Sequence, residues 1–238
     1  MKKILITSGP TREYLDPVRY ITNGSSGRMG AALAEAVLRQ GGVPVLVSGP
    51  SAISYPSKAE VHWVETTKQM LQRCFDLFPD CVGVIGAAAP CDFRPISFSE
   101  QKISKPKNAG ITFRFSETQD ILATLGNIKR PDQWSVAFAL ETEDGIARAW
   151  EKMQKKRCDL VVLNDPDTIN RDEGTFQIFD AFGGEYKKFT GSKRAFAEEL
   201  LSCITLLHDN KLGTPKVNAI GYNHASCFSH LKSICEPF

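Results

Sequence analysis

The chain has 238 residues, 42% of them apolar and 24% charged, with a formal net charge of +2. That length can bury a full core, and the composition is ordinary for a globular protein. The small net charge points to no nucleic acid and no membrane surface as a partner, and no apolar run approaches the ~20 residues needed to span a bilayer.

The N-terminus enters a strand at once, Lys3–Thr7, with no apolar leader or cleavage site before it. A turn at Ser8-Gly9-Pro10 and a glycine-rich loop lead into a helix over Met29–Gln40. Met29, Leu33, Ala36 and Val37 recur there at helical spacing, and Gly41-Gly42 ends the helix. Strands follow at Pro44–Ser48 and Val61–Val64, a helix at Lys68–Phe78 and a strand at Cys81–Ala87. Phe93–Phe115 is long, polar and lysine-bearing, and reads as a flap over a ligand site. Alternation resumes with a helix at Asp120–Gly126, a strand at Ser135–Leu140, a helix at Asp144–Lys156 and a strand at Asp159–Leu163. Thr175–Phe189 has the pattern of a hairpin with Gly183-Gly184 at its turn, and a helix over Ser192–Leu207 closes the pattern. Lys211–Phe238 has no period, so we expect one domain over 1–207 and a poorly ordered tail over 208–238.

Short apolar runs without alternation suit strands buried on both faces. Strand–helix alternation therefore predicts a doubly wound, Rossmann-like α/β fold: a mostly parallel sheet with helices on both faces, plus the flap and the β-hairpin as excursions. The seven cysteines are odd in number and lack a disulfide framework, and Cys74, Cys81, Cys158 and Cys203 sit in apolar or helical contexts. They read as reduced thiols in a cytoplasmic protein. His224, Cys227, His230 and Cys235 match no zinc spacing, so no protein-held metal is expected.

In an open α/β sheet, ligands bind beyond the carboxyl ends of the strands. Four loops meet that condition: the one after Thr7, Ala87–Asp92, Phe138–Thr142 and Leu163–Asp165. The first contains Gly24-x-x-Gly27-x-x-Gly30 before a helix, an arrangement that suits an anion. Its spacing is neither the dinucleotide G-x-G-x-x-G nor the P-loop. In the same loop Asn23 can donate and accept, and Arg19 offers a phosphate fork; their structural alternatives are a turn amide and a surface ion pair. Asp92 either meets a ligand or caps its own turn. Lys102, Lys105 and Lys107 could neutralise a polyphosphate from the flap, or simply be solvated. Lys152, Lys155, Lys156 and Arg157 suit either an anion or the C-terminus of their own helix. His62 and His208 lie outside these loops, which disfavours a histidine-activated nucleophile.

Taken together, Thr7–Arg19, Asn23–Gly30, Ala87–Pro95, Glu100–Lys105, Phe138–Thr142 and Leu163–Asp165 make the chain resemble the phosphopantothenate–cysteine ligase family over about residues 1–207. The resemblance implies a ligase unrelated to ATP-grasp enzymes. It would join 4′-phosphopantothenate and L-cysteine in coenzyme A biosynthesis through an acyl-cytidylate, releasing pyrophosphate and then the nucleoside monophosphate. It implies CTP as co-substrate, Mg²⁺ with the nucleotide, no flavin, and a homodimer. Carried over by position, Asn23 and Lys102 would be catalytic. Gly9, Ser25, Gly27 and Gly30 would cradle phosphates, and Phe138, Lys152, Lys156 and Asn164 would line the nucleotide pocket. Gln119, Asp120, Ile121 and Leu122 would approach the base. Asp92, with Ala88 and Ala89, would touch the pantothenoyl arm or the nucleotide, and Arg19 would bind the substrate phosphate across the dimer.

The chain departs from the family pattern at Pro10, Pro90-Cys91, Ser104 and Gln119, the last bearing on the choice of CTP over ATP. Many bacterial members follow a flavin-dependent decarboxylase in one chain. This chain starts at the ligase, so it is expected to lack decarboxylation. Two other readings compete: an NAD(P)-binding oxidoreductase, disfavoured by glycine spacing, and a non-catalytic nucleotide-binding relative.

Overall fold

A computed structural model describes residues 1–105, 110–140, 145–164, 171–181 and 185–211. The first half contains β1 (Lys3–Ser8), β2 (Arg12–Tyr14), β3 (Tyr20–Thr22), α1 (Arg28–Arg39), β4 (Val43–Ser48), β5 (Glu60–Trp63), α2 (Thr67–Leu77) and β6 (Gly83–Gly86). The second contains β7 (Phe93–Pro95), β8 (Phe115–Glu117), α3 (Ile121–Ile128), β9 (Trp134–Leu140), α4 (Gly145–Lys156), β10 (Leu160–Asn164), β11 (Glu173–Asp180), β12 (Glu185–Ser192) and α5 (Lys193–Lys211).

Eight strands form one sheet in the order β12-β11-β10-β9-β6-β1-β4-β5. The six from β10 to β5 are parallel, and β11 and β12 add antiparallel pairs at one edge. The chain winds outward from β1 to β5, then returns to the other side of β1 with β6. The strand order therefore reverses between β1 and β6, which opens a crevice at their carboxyl ends. This is the expected doubly wound, mostly parallel α/β fold.

Successive residues of a strand face opposite sides. Leu5 accordingly joins a core with Met70, Phe78, Leu125 and Met153, under α2, α3 and α4. Ile6 joins another with Leu33, Val37, Phe196 and Leu200, under α1 and α5. In the second core Phe196 stacks on Phe176 with centroids 4.1 Å apart and meets Phe138 edge-on at 6.3 Å. α5 thereby fixes the back of a side chain that faces the cleft. α2 starts with a capping box, in which Thr66 accepts from Gln69 N and Gln69 accepts from Thr66 N.

The elements differ from expectation in four places. The strand expected over Cys81–Ala87 is Gly83–Gly86, because a 3₁₀ turn at Phe78–Asp80 occupies its approach and buries Phe78. β2 and β3 form a ribbon where only loop was expected. The flap begins and ends in a second ribbon, with Phe93 opposite Glu117 and Pro95 opposite Phe115. α5 continues to Lys211, past the expected boundary at 207, since no glycine or proline interrupts the chain before Gly213. The two small ribbons and their loops expose large apolar side chains, among them Val18, Phe93, Ile96, Phe98 and Phe115. Gly183-Gly184, Glu141–Thr142, Asp165, Lys107, and the tail with His224, Cys227, His230 and Cys235 lie outside the described residues.

Candidate functional site

The crevice is built by stitching the loop after β1 to the loop after β6. Gly9 turns at φ +69°, its carbonyl accepts Ala89 N–H at 3.0 Å, and Pro10 bridges Ala89. Thr7 Oγ1 accepts Ala88 N–H at 3.2 Å. Asn23 Nδ2 donates to Pro90 O at 3.0 Å and reaches Ala89 O at 3.4 Å. Gly27 starts α1 at φ +78° with no side-chain cap, which leaves the first amides of the helix open to an anion. Beneath it, Ser8 Oγ donates to Gly27 O, and Tyr55 OH bonds both Ser8 and Ser48. Gly30 packs so closely on Ser8 that a Cβ would lie 2.0 Å from its Oγ.

A cavity of about 520 Å³ opens here. The turn from Asn23 to Met29 forms one wall, including Ser25 and Gly27, and Ala88, Ala89 and Asp92 form the floor. Phe138, Lys152, Lys156 and Asn164 close it opposite. A second cavity of about 330 Å³ shares Ala88, Asp92, Phe138 and Lys156 with the first and adds Gln119, Asp120, Ile121 and Leu122. Asp120 caps α3 by accepting Ala123 N–H, and its other oxygen meets Lys156 Nζ at 3.0 Å. Asp92 stands exposed on the shared wall, and its carboxylate makes no turn-capping bond among the described residues. The cavity of about 570 Å³ beside Trp63 and Arg73 contains none of the expected site residues.

Four expected residues lie outside the lining of both cavities. Gly9 and Gly30 are buried behind the loop, where they let the chain turn and pack. Arg19 and Lys102 lie in the loops between the strands of the two ribbons. Arg19 Nη1 donates to Asp16 Oδ2 at 2.5 Å and to Ile103 O at 2.9 Å, and Lys102 is exposed next to that contact. The buried Asp16 carboxylate also accepts the N–H groups of Val18, Arg19 and Ile103. Burial works against its ionisation, but the three backbone donors and Arg19 outweigh it and hold the carboxyl well below the usual carboxylate range. A depressed folded value gives stabilisation that is complete above the unfolded value of 3.8 and declines as pH falls toward the folded one. The Tm gap between the native chain and Asp16→Asn should therefore be widest near neutral pH and shrink at roughly pH 3. A gap independent of pH would mean that Asp16 does not anchor the flap as a carboxylate.

The cleft also recruits residues that the sequence did not single out. Arg28 and Lys193 line the first cavity, and Lys193 Nζ donates to Arg171 O. Burial and the charge of Arg28 push the Lys193 ammonium below its ordinary value. A lysine at a helix start carries no signal along the chain that it faces a ligand. The five cysteines among the described residues are all buried and free. Burial raises every one of these thiols, to about 11 for Cys81, Cys158 and Cys203. Among the described residues no three His, Cys, Asp or Glu side chains converge as metal ligands. Asp92 is the one carboxylate lining the first cavity among the described residues.

The family model of the DNA/pantothenate metabolism flavoprotein C-terminal domain matches residues 1–207. A relative named Cysteine/Cysteine sulfinic acid decarboxylase, from an unknown prokaryotic organism, is 39% identical over 214 residues, which is 87% of this chain and 59% of the relative. The Coenzyme A biosynthesis bifunctional protein CoaBC of Vibrio vulnificus is 36% identical over 211 residues, which is 87% of this chain and 52% of the relative. The chain thus spans little more than half the length of these curated relatives. The crystal structure of the C-terminal domain of Coenzyme A biosynthesis bifunctional protein CoaBC superimposes with a TM-score of 0.74 at 32% identity, over 88% of this chain and 96% of that one.

Proposed function

The chain belongs to the family of the DNA/pantothenate metabolism flavoprotein C-terminal domain, and from that premise we propose that it is a phosphopantothenate–cysteine ligase. In the first step a carboxylate oxygen of 4′-phosphopantothenate attacks the α-phosphorus of CTP. The bond to the β-phosphate breaks, and pyrophosphate leaves. In the second step the amine of cysteine attacks the acyl carbon. The carbon–oxygen bond breaks, CMP leaves, and the amine loses a proton. Both steps need alignment and charge neutralisation more than a strong base.

The observation that carries this reading is the cleft at the β1/β6 reversal. There an uncapped helix start, the Asn23 amide, Lys152 and Lys156 surround one space with Asp92 on its floor. The helix start and lysines suit phosphates, and Asn23 suits the acyl oxygen. Gln119 to Leu122, in the adjoining cavity, suit the base. Mg²⁺ would come with the triphosphate and supply charge neutralisation there, with Asp92 as its protein contact. Lys102 would reach the triphosphate from the flap. The apolar side chains on the ribbons suit a homodimer, in which Arg19 would serve the partner's substrate phosphate. The free, buried thiols among the described residues suit a cytoplasmic protein. The oxidoreductase reading is weaker, because β4 runs from Ser48 into Gly49-Pro50 with no carboxylate to hold a ribose.

The test is pyrophosphate release. Protein, phosphopantothenate, Mg²⁺ and cysteine should yield pyrophosphate with CTP faster than with ATP. Silence with every nucleotide would remove the ligase reading, and a faster reaction with ATP would overturn the preference alone.

A further inference from the structure

The flap is tied to the loop between β2 and β3 at two places. Ser99 N–H donates to Leu15 O at 3.0 Å. Further along, both backbone polar groups of Ile103 are gripped by side chains. Its N–H donates to Asp16 Oδ2 at 3.0 Å, and its carbonyl accepts Arg19 Nη1 at 2.9 Å. The same Nη1 donates to Asp16 Oδ2, which closes the grip into a triangle. For this one residue of the flap, a carboxylate–guanidinium pair takes the place of a neighbouring strand.

Asp16 divides its oxygens between two tasks. Oδ1 accepts the N–H groups of Val18 and Arg19, both at 2.8 Å, and so shapes its own turn. Oδ2 serves Arg19 Nη1 and the N–H of Ile103, which is 87 residues away in the chain. Asp16 is 0% exposed, and burying a carboxylate is costly unless its oxygens are used. The grip holds backbone and leaves the adjoining side chain alone. Lys102, next to Ile103, is exposed and makes no hydrogen bond or ion pair among the described residues. Its ammonium is therefore free for a ligand while its backbone is held one residue away.

We propose that Asp16 and Arg19 form a positioning clamp, which grips Ile103 so that Lys102 is presented at one fixed place. The proposal rests on the ligase reading for what Lys102 meets there, the triphosphate, and on the hydrogen bonds alone for the clamp. Asp16 touches no substrate and acts through Lys102. Arg19 can serve the clamp and an anion together, because its Nε and Nη2 make no bond among the described residues. The clamp matters for rate because a misplacement of about 1 Å at an aligned group can cost about a hundredfold.

Asp16→Asn is the informative variant. With its oxygen kept on Val18 and Arg19, its amide turns hydrogens toward Ile103 N–H and Arg19 Nη1, which are donors themselves. The turn survives and the clamp opens. One readout is trypsin, which cuts after lysine and so reports on the bond between Lys102 and Ile103. Well below its Tm, the variant should be cut there about tenfold faster or more than the native chain, with other sites unchanged. A general loss of stability would instead raise every site together. Arg19→Ala should show the same selective cutting, and it covers the case in which Asp16→Asn fails to fold. The other readout is single-turnover pyrophosphate release. Asp16→Asn should slow it about tenfold or more by itself, and less than about twofold when Lys102 is already alanine. Equal factors in the two backgrounds, or native cutting after Lys102, would overturn the proposal. If the native chain releases no pyrophosphate with any nucleotide, the ligase reading fails and trypsin decides alone. Selective cutting after Lys102 then supports the clamp, and unchanged or general cutting overturns it.

Discussion

Asn23→Ala is expected to slow pyrophosphate release about a hundredfold in a single turnover while barely changing the fold, since one aligned donor at a developing charge is worth about 10²–10³ in rate. Asn23 is exposed, and its one well-placed bond is the 3.0 Å contact to Pro90 O. Losing such a bond costs about 1 kcal/mol, or about 2–4 °C in Tm for a chain of this length. The second amide hydrogen makes only the 3.4 Å reach to Ala89 O, so it can be redirected to a ligand oxygen with little loss. Asn23→Asp should be no better, because it replaces a donor with a charge of the same sign as the substrate carboxylate. A rate loss below about fivefold, under 1 kcal/mol of barrier, would remove Asn23 from the chemistry.

Gly49→Ala should have the largest effect on stability. A Cβ there would lie 1.6 Å from Pro10 O and 2.7 Å from Pro10 C, both backbone atoms, so no rotamer change relieves the clash. Moving β4 away from the turn after β1 should cost about 3 kcal/mol or more, near the upper end for overpacking. Tm should then fall by about 6–12 °C. Gly41→Ala is the control. Its φ of +75° strains alanine, but nothing lies within 4 Å of the new Cβ. That change should cost only about 1–2 kcal/mol. Equal melting points for the two variants would mean that the loop after β1 yields easily. The Gly49 variant should also lose activity in its folded fraction, since displacing Pro10 breaks the bridge that holds Ala89.

The central parallel strands were legible because they are apolar runs that rise above their flanks, as in Lys3-Ile-Leu-Ile-Thr7. Once those strands were in order, the cleft followed, because their carboxyl ends converge wherever the winding reverses. The ribbons were not legible. β2 and β3 have three residues each, and cross-strand contacts mark them instead of any period: Tyr14 against Tyr20 at 5.4 Å, and the Arg12 guanidinium 4.4 Å from the Tyr20 ring centroid. Arg19 and Lys102 could be named from local sequence, but their meeting around Asp16 depends on a contact spanning more than eighty residues.

The buried thiols have a consequence for the proposed reaction, in which free cysteine would be a substrate. Thiolates exchange with disulfides, and a substrate thiol pool always contains some of its oxidised form. Cys91 lines the second cavity beside Asp92, yet it is only 4% exposed, and its Sγ rests on the Thr11 and Ile21 carbonyls. Burial keeps its proton in place, so the attacking species is scarce at the cysteine that, among the described residues, lines these cavities. The same packing that holds the loop after β6 against β1 would therefore keep Cys91 inert toward the cysteine of the proposed reaction.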